Sequence, residues 1–325
     1  MEAGLFARPD GPGVLPYETN PCGHPGQSTQ IFPLTSASMK SMSNAGRIAI
    51  SDAFAALVGP QVGDEHIDLV RAGLTIARTE YPDLDIESYV TRIDELARRT
   101  AARISDVGDA TETIAALNHT VFEEAGLRGN RDDYYDPRNS FLNDVLDRGL
   151  GIPITLALIY MEVGRRLGFP LFGVGMPGHF LLKHYDIDGR ETLVDCFNGG
   201  DILSPQDCQR RLDEIYSGQM TLRPEFLFAV SRRQILTRIL NNLKSVHLSA
   251  RNFRKALPLV DLVLVIYPRS PDDVKQRAML RYGLGQTSSA AEDLEQYLKM
   301  SPDASDADEI RQTALSIRRM LALMN

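Results

Sequence analysis

The stretch that decides the fold is GVGMPGHFLLKHYDIDGRETLVDCFNGG, residues 173–200. Its apolar runs are short and rich in β-branched and aromatic residues, and Asp188-Gly189 marks a turn between two of them. This is the pattern of strand, strand, turn and strand. The stretch therefore predicts a small antiparallel sheet.

A histidine and an aspartate occupy matching places in this predicted hairpin. If residues 179–185 pair with residues 191–197, His179 lies opposite position 195 or 196. A carboxylate that orients an imidazole is two thirds of a nucleophilic triad. We therefore predict that His179 and Asp195 form a triad-like pair, provided that no one-residue slip moves one of them to the other face of the sheet.

The segment before the sheet predicts one buried helix. Pro153 occupies a first-turn position, where proline is tolerated, and Gly168 is a natural stop. Apolar residues dominate between Ile152 and Met161. We predict a central helix over residues 153–167 that packs against the sheet.

The rest of the N-terminal half predicts helices after a tail. Residues 1–47 are rich in Gly, Pro, Ser and Thr without a persistent period, which is typical of a disordered tail. Cys22 and His24 lie in this tail, and we interpret them as solvated residues rather than as metal ligands. From residue 48 to about residue 126, apolar residues recur at helical spacing in three segments. Helices and a small sheet together predict an α+β core.

The C-terminal third contains an internal repeat. A shift of 34 residues places Ala256 on Ala290 and Pro268 on Pro302. That period, with a small residue in the second helix and a closing proline, is the tetratricopeptide layout. A plain helical bundle is the alternative.

Composition excludes several classes of partner and site. The net charge of the 325 residues is −8, so the chain has no global attraction for nucleic acid or for anionic membranes. No apolar run is long enough to cross a membrane, and the N-terminus lacks the layout of a secretory signal. Three scattered cysteines favour a reducing cytoplasm over a disulfide framework. No metal motif and no cofactor motif is present, so we expect neither.

Two blocks of sequence resemble a known family. YDPRNSFLNDVLDRGLGIPITLALIY, which ends at Tyr160, and GVGMPGHFL, which begins at Gly173, resemble the SirB family of bacterial transglutaminase-like/tetratricopeptide-repeat proteins. This family is related to a domain in one eukaryotic F-box protein. The resemblance implies a transglutaminase-like, papain-like core over residues 48–225 and helical repeats over residues 226–325.

The resemblance also implies where a catalytic site would lie. His179 and Asp195 take the family's histidine and aspartate positions, and Pro153 falls where a transglutaminase has its nucleophilic cysteine. Proline cannot attack a carbonyl group. Thr155 is a poor substitute without a base beside it, and Cys196 is expected to point away from His179 as a strand neighbour of Asp195.

The remaining polar and glycine residues predict a pocket around this pair, at the start of the central helix. Glycines let the backbone turn tightly or approach a ligand. The pocket residues predicted in addition to the pair are Asn139, Asn143, Gly151, Pro153, Thr155, Gly178, Asn198, Gly199 and Gly200. Alternatively, His179 and Asp195 satisfy each other in a buried hairpin and bind no ligand.

Three functions remain open from the sequence. The first is a non-catalytic protein-interaction or regulatory module, in which the repeats bind a protein or peptide partner. The second is a hydrolase or amide-transferring enzyme that uses His179 and Asp195 with another nucleophile or an activated water. The third is a structural scaffold.

Overall fold

The structure, a computed structural model, describes residues 44–324. The predictions for Cys22, for His24 and for most of the tail therefore lie outside the described residues. The α-helices of the described part are α1 (Asn44–Val58), α2 (Leu69–Ala77), α3 (Ile86–Ala101), α4 (Ala110–Asn118), α5 (Leu142–Arg148), α6 (Pro153–Arg166), α7 (Pro205–Tyr216), α8 (Arg232–Ser249), α9 (Phe253–Ile266), α10 (Pro271–Gly283), α11 (Thr287–Met300) and α12 (Ala307–Met324). The strands are β1 (Arg128–Gly129), β2 (Leu150–Gly151), β3 (Phe172–Val174), β4 (Leu181–Tyr185), β5 (Glu191–Asp195) and β6 (Asp201–Leu203).

Helix α6 is the centre of the larger hydrophobic core. It begins at Pro153, as predicted, and every residue from Pro153 to Gly164 is buried. Helices α2 and α3 and strands β3 and β4 contact it. Arg165 and Arg166 in its last turn complement the negative end of the helix dipole. The long apolar run in the sequence is therefore explained by burial on all sides.

The sheet is antiparallel, with strand order β3-β4-β5-β6. Its alternating residues belong to two different cores. Leu182 and Val194 pack in the core around α6, whereas Leu181 and Leu193 pack against Cys208 and Leu212 of α7. A second, two-stranded parallel sheet pairs β1 with β2 just before α6.

The hairpin has the predicted pairing of residues 179–185 with residues 191–197, since Tyr185 pairs with Glu191, but this register does not place His179 opposite Asp195 as expected. Leu182 pairs with Val194, and β4 begins at Leu181, so His179 lies before the strand and does not stand directly opposite position 195. Relative to a direct pairing with Asp195, the ladder is displaced by two residues. Because side chains alternate with a period of two, this displacement keeps His179 and Asp195 on the same side.

Two further local predictions need correction. The tail was predicted to be disordered up to residue 47, but residues 44–47 form the first turn of α1. Helix α4 was predicted to continue to about Gly126, but it changes at His119 into a π-helix that ends at Glu124. Asp109 caps α4 by accepting from the backbone N–H groups of Thr111 and Glu112.

The repeat region has the predicted period. Shifted by 34 residues, the bounds of α9 coincide with those of α11. Ala256 and Ala290 are both fully buried where the paired helices meet. Helix α12 covers the end of the array, with Ile310, Ala314 and Ile317 in the repeat core. The region is thus two helical pairs, α8–α9 and α10–α11, closed by one helix.

Helix α8 joins the repeats to the larger core. Its apolar residues Ile235, Leu236 and Leu240 are part of the core around α6. The buried carboxylate of Glu162 on α6 lies 3.5 Å from Nη1 of Arg232 at the start of α8. The repeats are therefore packed onto the α+β core. Within residues 44–324, no helix is both long and apolar enough to span a lipid bilayer.

Candidate functional site

The His179 and Asp195 side chains meet in the interior. Nε2 of His179 lies 2.9 Å from Oδ1 of Asp195, and the two side chains are 8% and 0% exposed. Nε2 of His179 has no hydrogen bond of regular geometry among the described residues, although it lies within hydrogen-bond distance of the carboxylate. The contact is therefore a close approach of an imidazole nitrogen to a buried carboxylate oxygen.

Asp195 is held as a carboxylate despite its burial. Burial by itself would raise its pKa, but the contact with His179, a hydrogen bond from Asn198 and the nearby Arg211 guanidinium together lower the pKa below its usual value. Nδ2 of Asn198 donates to Oδ2 at 2.6 Å, and the backbone N–H of Phe197 donates to Oδ1 at 3.1 Å. The ionised form is thus the one that the surroundings stabilise.

The pair lies on the side of the sheet that α7 covers. Nε of Arg211, on α7, is 3.7 Å from Oδ2 of Asp195. Gly178 has a φ of +68°, and a Cβ there would lie 2.8 Å from Cγ2 of Ile215 on the same helix. Gly178 thus lets the chain before His179 pass close to α7.

Asn198 and Phe197 connect the pair to the surface. Oδ1 of Asn198 accepts a hydrogen bond from the Arg131 guanidinium, which also lies over the Phe197 ring at 5.3 Å. The same ring meets the His179 ring edge-on, with 6.2 Å between centroids. A Cβ on Gly129 would lie 2.6 Å from this ring, so glycine is required there.

A cavity of about 580 Å³ opens beside these residues. We call it the Arg131 cavity. Its lining residues are Arg128, Gly129, Asn130, Arg131, Asp132, Leu150, Phe197, Asn198 and Asp201. Of the predicted pocket residues, only Asn198 lines it.

The start of α6 is closed rather than open. Pro153 is buried at the first helical position. The Thr155 hydroxyl donates to the backbone oxygen of Asn139 at 2.7 Å and accepts from the backbone N–H of Ile152 at 3.1 Å. Asn139 is itself fully buried, and its amide donates to the backbone oxygen of Asp133 at 2.7 Å. These residues cap the helix and fix the loop before it.

The other predicted pocket residues do not line the Arg131 cavity and lie within the packed interior or its turns. Gly199 and Gly200 both have positive φ, and Asn118 on α4 donates to the Gly200 oxygen at 3.1 Å while accepting from the Tyr160 hydroxyl. Gly151 forms part of β2. Asn143 is buried on α5, and its Oδ1 has no hydrogen-bond partner within the described part of the chain.

Neither described cysteine is an activated thiol. Cys196 was expected to follow Asp195 within a strand. Instead, β5 ends at Asp195, and Cys196 begins a 3₁₀ turn over Cys196–Asn198. Burial and the neighbouring Asp195 raise its pKa well above the usual value. Burial also raises the pKa of Cys208 to about 11, although Cys208 lies in the first turns of α7. Within residues 44–324, no group of three or more His, Cys, Asp or Glu side chains could hold a metal ion.

Sequence reasoning missed the basic residues of the site. Arg131 and Arg128 lie in and before a turn-rich segment, and Arg211 lies on α7, so nothing local in the sequence places these three residues beside the pair. The dense charges of RGNRDD, residues 128–133, indicate an exposed charged segment, which was the one usable signal for these residues.

The fold and the paired histidine and aspartate define a transglutaminase-like domain followed by tetratricopeptide repeats. The transglutaminase-like superfamily matches residues 87–241, and the tetratricopeptide repeat matches residues 243–314. These two matches meet within α8. The domain boundary at residues 225 and 226 stays a prediction.

Curated relatives give the family more narrowly. A UPF0162 protein of Xylella fastidiosa is 37% identical over 253 residues, which are 77% of this chain and 90% of that protein. The chain belongs to this family. Protein SirB1 of Salmonella typhimurium is 23% identical over 72% of this chain and 86% of its own length. Human F-box only protein 21 is 27% identical over 57% of this chain, but over only 30% of its own length.

Proposed function

We propose that this protein is a non-catalytic protein-interaction or regulatory module, a transglutaminase-like pseudoenzyme with a partner-binding repeat region. The observation that carries the proposal is the residue at the first position of α6. Pro153 stands where the family resemblance places a nucleophilic cysteine, and it is buried. A triad without its attacking atom cannot form a covalent intermediate.

The neighbouring groups support the absence of a substitute nucleophile. The proton of the Thr155 hydroxyl is used in a hydrogen bond to Asn139. Cys196 and Cys208 have raised pKa values, so little thiolate exists at neutral pH. Both are free thiols, which also supports a reducing, cytoplasmic location.

The repeats supply a surface for a protein or peptide partner. Tetratricopeptide arrays generally bind such partners along their helical faces. A groove of about 380 Å³ lies between the first and second helical pairs and is mostly apolar. We call it the repeat groove, and its lining residues are Leu248, Phe253, Asp272, Lys275, Gln276, Met279 and Leu280.

Met279 offers a direct test of this surface. Its side chain lines the repeat groove and the residue is 50% exposed, so Met279→Asp changes the groove without burying a charge in the core. Leu315→Asp is the matched control, because Leu315 is 46% exposed on α12 and does not line the groove. The immobilised full chain is used to capture proteins from a lysate of its own source cell, and captured proteins are quantified by mass spectrometry.

The proposal predicts a partner retained in near-stoichiometric amount by the wild type and by Leu315→Asp. Met279→Asp should capture at least tenfold less of that partner, whereas His179→Ala should capture as much as the wild type. Equal capture by both aspartate variants would contradict the use of the repeat groove. Loss of capture in His179→Ala alone would indicate that the partner binds to the transglutaminase-like domain rather than to the repeat groove.

The second candidate is a hydrolase or amide-transferring enzyme. The close contact between His179 and Asp195 favours it, because a carboxylate beside an imidazole supports a general base. In such an enzyme His179 would activate a water molecule. The two candidates differ in whether an amide bond is ever cleaved.

A further inference from the structure

The Arg131 cavity carries charges of both signs that do not neutralise one another. Arg128 and Arg131 contribute two guanidinium groups, and Asp132 and Asp201 contribute two carboxylates. None of these four forms an ion pair with another described residue, although such pairs are common elsewhere on the protein. The hydrogen bond of Arg131 goes to the neutral amide of Asn198, so its guanidinium is not paired with a described carboxylate.

The cavity also presents free peptide backbone. The N–H groups of Arg128 and Asn130 donate to the oxygens of Gly149 and Gly151 in the paired strand. Because successive residues of a strand alternate in direction, the N–H and C=O of Gly129 point away from that strand. Gly129 lines the cavity, so its edge is available to the main chain of an extended ligand.

The apolar part of the cavity is small and rigid. Leu150 and the Phe197 ring form it, and Phe197 is fixed by its contacts with Gly129, Tyr134 and His179. A volume of about 580 Å³ lies within the range of sites for small molecules.

We propose that the Arg131 cavity binds a short peptide through both of its free ends. The α-carboxylate of the peptide faces Arg128 and Arg131, and its α-ammonium group faces Asp132 and Asp201. The peptide group between them pairs with the backbone of Gly129. Arg–carboxylate pairs are among the stronger charge-assisted contacts, and they are specific for planar carboxylates. This site lies outside the repeat groove, so the proposal goes beyond the function proposed above and does not depend on it.

The proposal is tested with four forms of one peptide. The probes are L-alanyl-L-alanine, its N-acetyl form, its C-terminal amide, and the form that carries both caps, each titrated calorimetrically into the full chain. The methyl side chains are alike in all four, so only the terminal charges differ. The free dipeptide should bind at least tenfold more tightly than either singly capped form, and the doubly capped form should bind most weakly.

Two variants locate the binding. Arg131→Gln and Asp201→Asn should each weaken binding of the free dipeptide at least tenfold. Arg190→Gln is the control, because Arg190 lies on the exposed turn between β4 and β5, away from the cavity, and should not change the affinity. Equal affinity for the four forms, no binding at millimolar concentration, or equal losses in all three variants would overturn the proposal.

Discussion

His179 and Asp195 meet side by side although neither faces the other across the β4–β5 ladder. The ladder would place Leu181 opposite Asp195, and His179 lies two residues before Leu181 in the chain. The contact forms because the turn at Gly178 directs the imidazole back toward the end of β5, where Asn198 holds the other carboxylate oxygen. The pair is thus built by a turn and a capping residue as much as by strand pairing.

Removal of the imidazole tests what the pair does for stability. His179→Ala leaves the fully buried Asp195 without its imidazole partner, and should lower the free energy of unfolding by about 1–3 kcal/mol at pH 7. The lowered pKa of Asp195 stabilises the fold above the pKa of the unfolded carboxyl, and this contribution is lost as pH falls through the folded pKa. The cost of the substitution should therefore shrink below about pH 4. Urea unfolding of the wild type and of His179→Ala, at pH 7 and again below about pH 4, measures this cost.

His119→Ala is the control for that experiment. His119 is partly exposed and its ion pairs are with Glu123 and Glu124 on the surface, so its loss should cost less than about 0.5 kcal/mol. A cost for His179→Ala that does not change with pH would show that Asp195 is not held in its charged form by His179.

The thiols provide a second prediction. In a Cys22→Ser variant, neither Cys196 nor Cys208 should react with iodoacetamide in the folded protein at pH 8, because both are buried and their pKa values are raised. Both should react once the protein is unfolded in urea. Mass spectrometry of the modified chain counts the alkylated residues. Rapid native modification of Cys208 would mean that the start of α7 activates a thiol.

Two adjacent glycines test the packing beneath the site. Gly199 and Gly200 both have positive φ, but only at Gly200 would a Cβ collide with the Asn118 side chain. Gly199→Ala should lower the free energy of unfolding by about 1 kcal/mol from backbone strain alone. Gly200→Ala should cost about 1–3 kcal/mol more, because Asn118 also binds the Tyr160 hydroxyl and cannot move freely. Equal costs for Gly199→Ala and Gly200→Ala in thermal or urea unfolding would show that the Asn118 side chain moves aside without penalty.

The repeat period gives a fourth prediction. Ala256 and Ala290 occupy equivalent, fully buried positions in α9 and α11, so leucine at either position should overpack the junction by about 1–3 kcal/mol. Ala322→Leu on the exposed face of α12 should be nearly neutral. Urea unfolding of the three variants compares them. Tolerance at Ala290 but not at Ala256 would indicate that the second helical pair is loosely packed.

Much of the fold could be predicted because local chemistry specifies it. Proline at the first turn fixes the start of α6, and a continuous apolar run requires its burial. The 34-residue shift predicts α11 from α9 because each repeat buries the same small residue against its neighbour. Strand β6 and the π-helix at His119 were missed. The first is three residues long, and the second keeps a helical apolar pattern.

The site was predictable only in part, because it depends on tertiary contacts. His179 and Asp195 share a face even though they are two residues out of direct opposition, so the wrong expectation that they stand opposite each other did not prevent their contact. Arg131 and Arg211 come from a loop and from a helix distant in sequence, and no periodicity brings them to Asp195 or Asn198. Asn139 and Thr155 were predicted as pocket residues, but their polar groups are used to cap α6.

The most direct test of the account is ammonia release from a glutamine-containing protein substrate, measured with and without a primary amine acceptor. Hydrolysis of a glutamine side-chain amide and its transfer to a primary amine both release ammonia, so one assay covers both reactions at that group. The account predicts that the wild-type full chain, His179→Ala and a buffer blank give the same rate, since Pro153 provides no attacking atom. Wild-type release above the blank that disappears in His179→Ala would contradict it and would establish an enzyme.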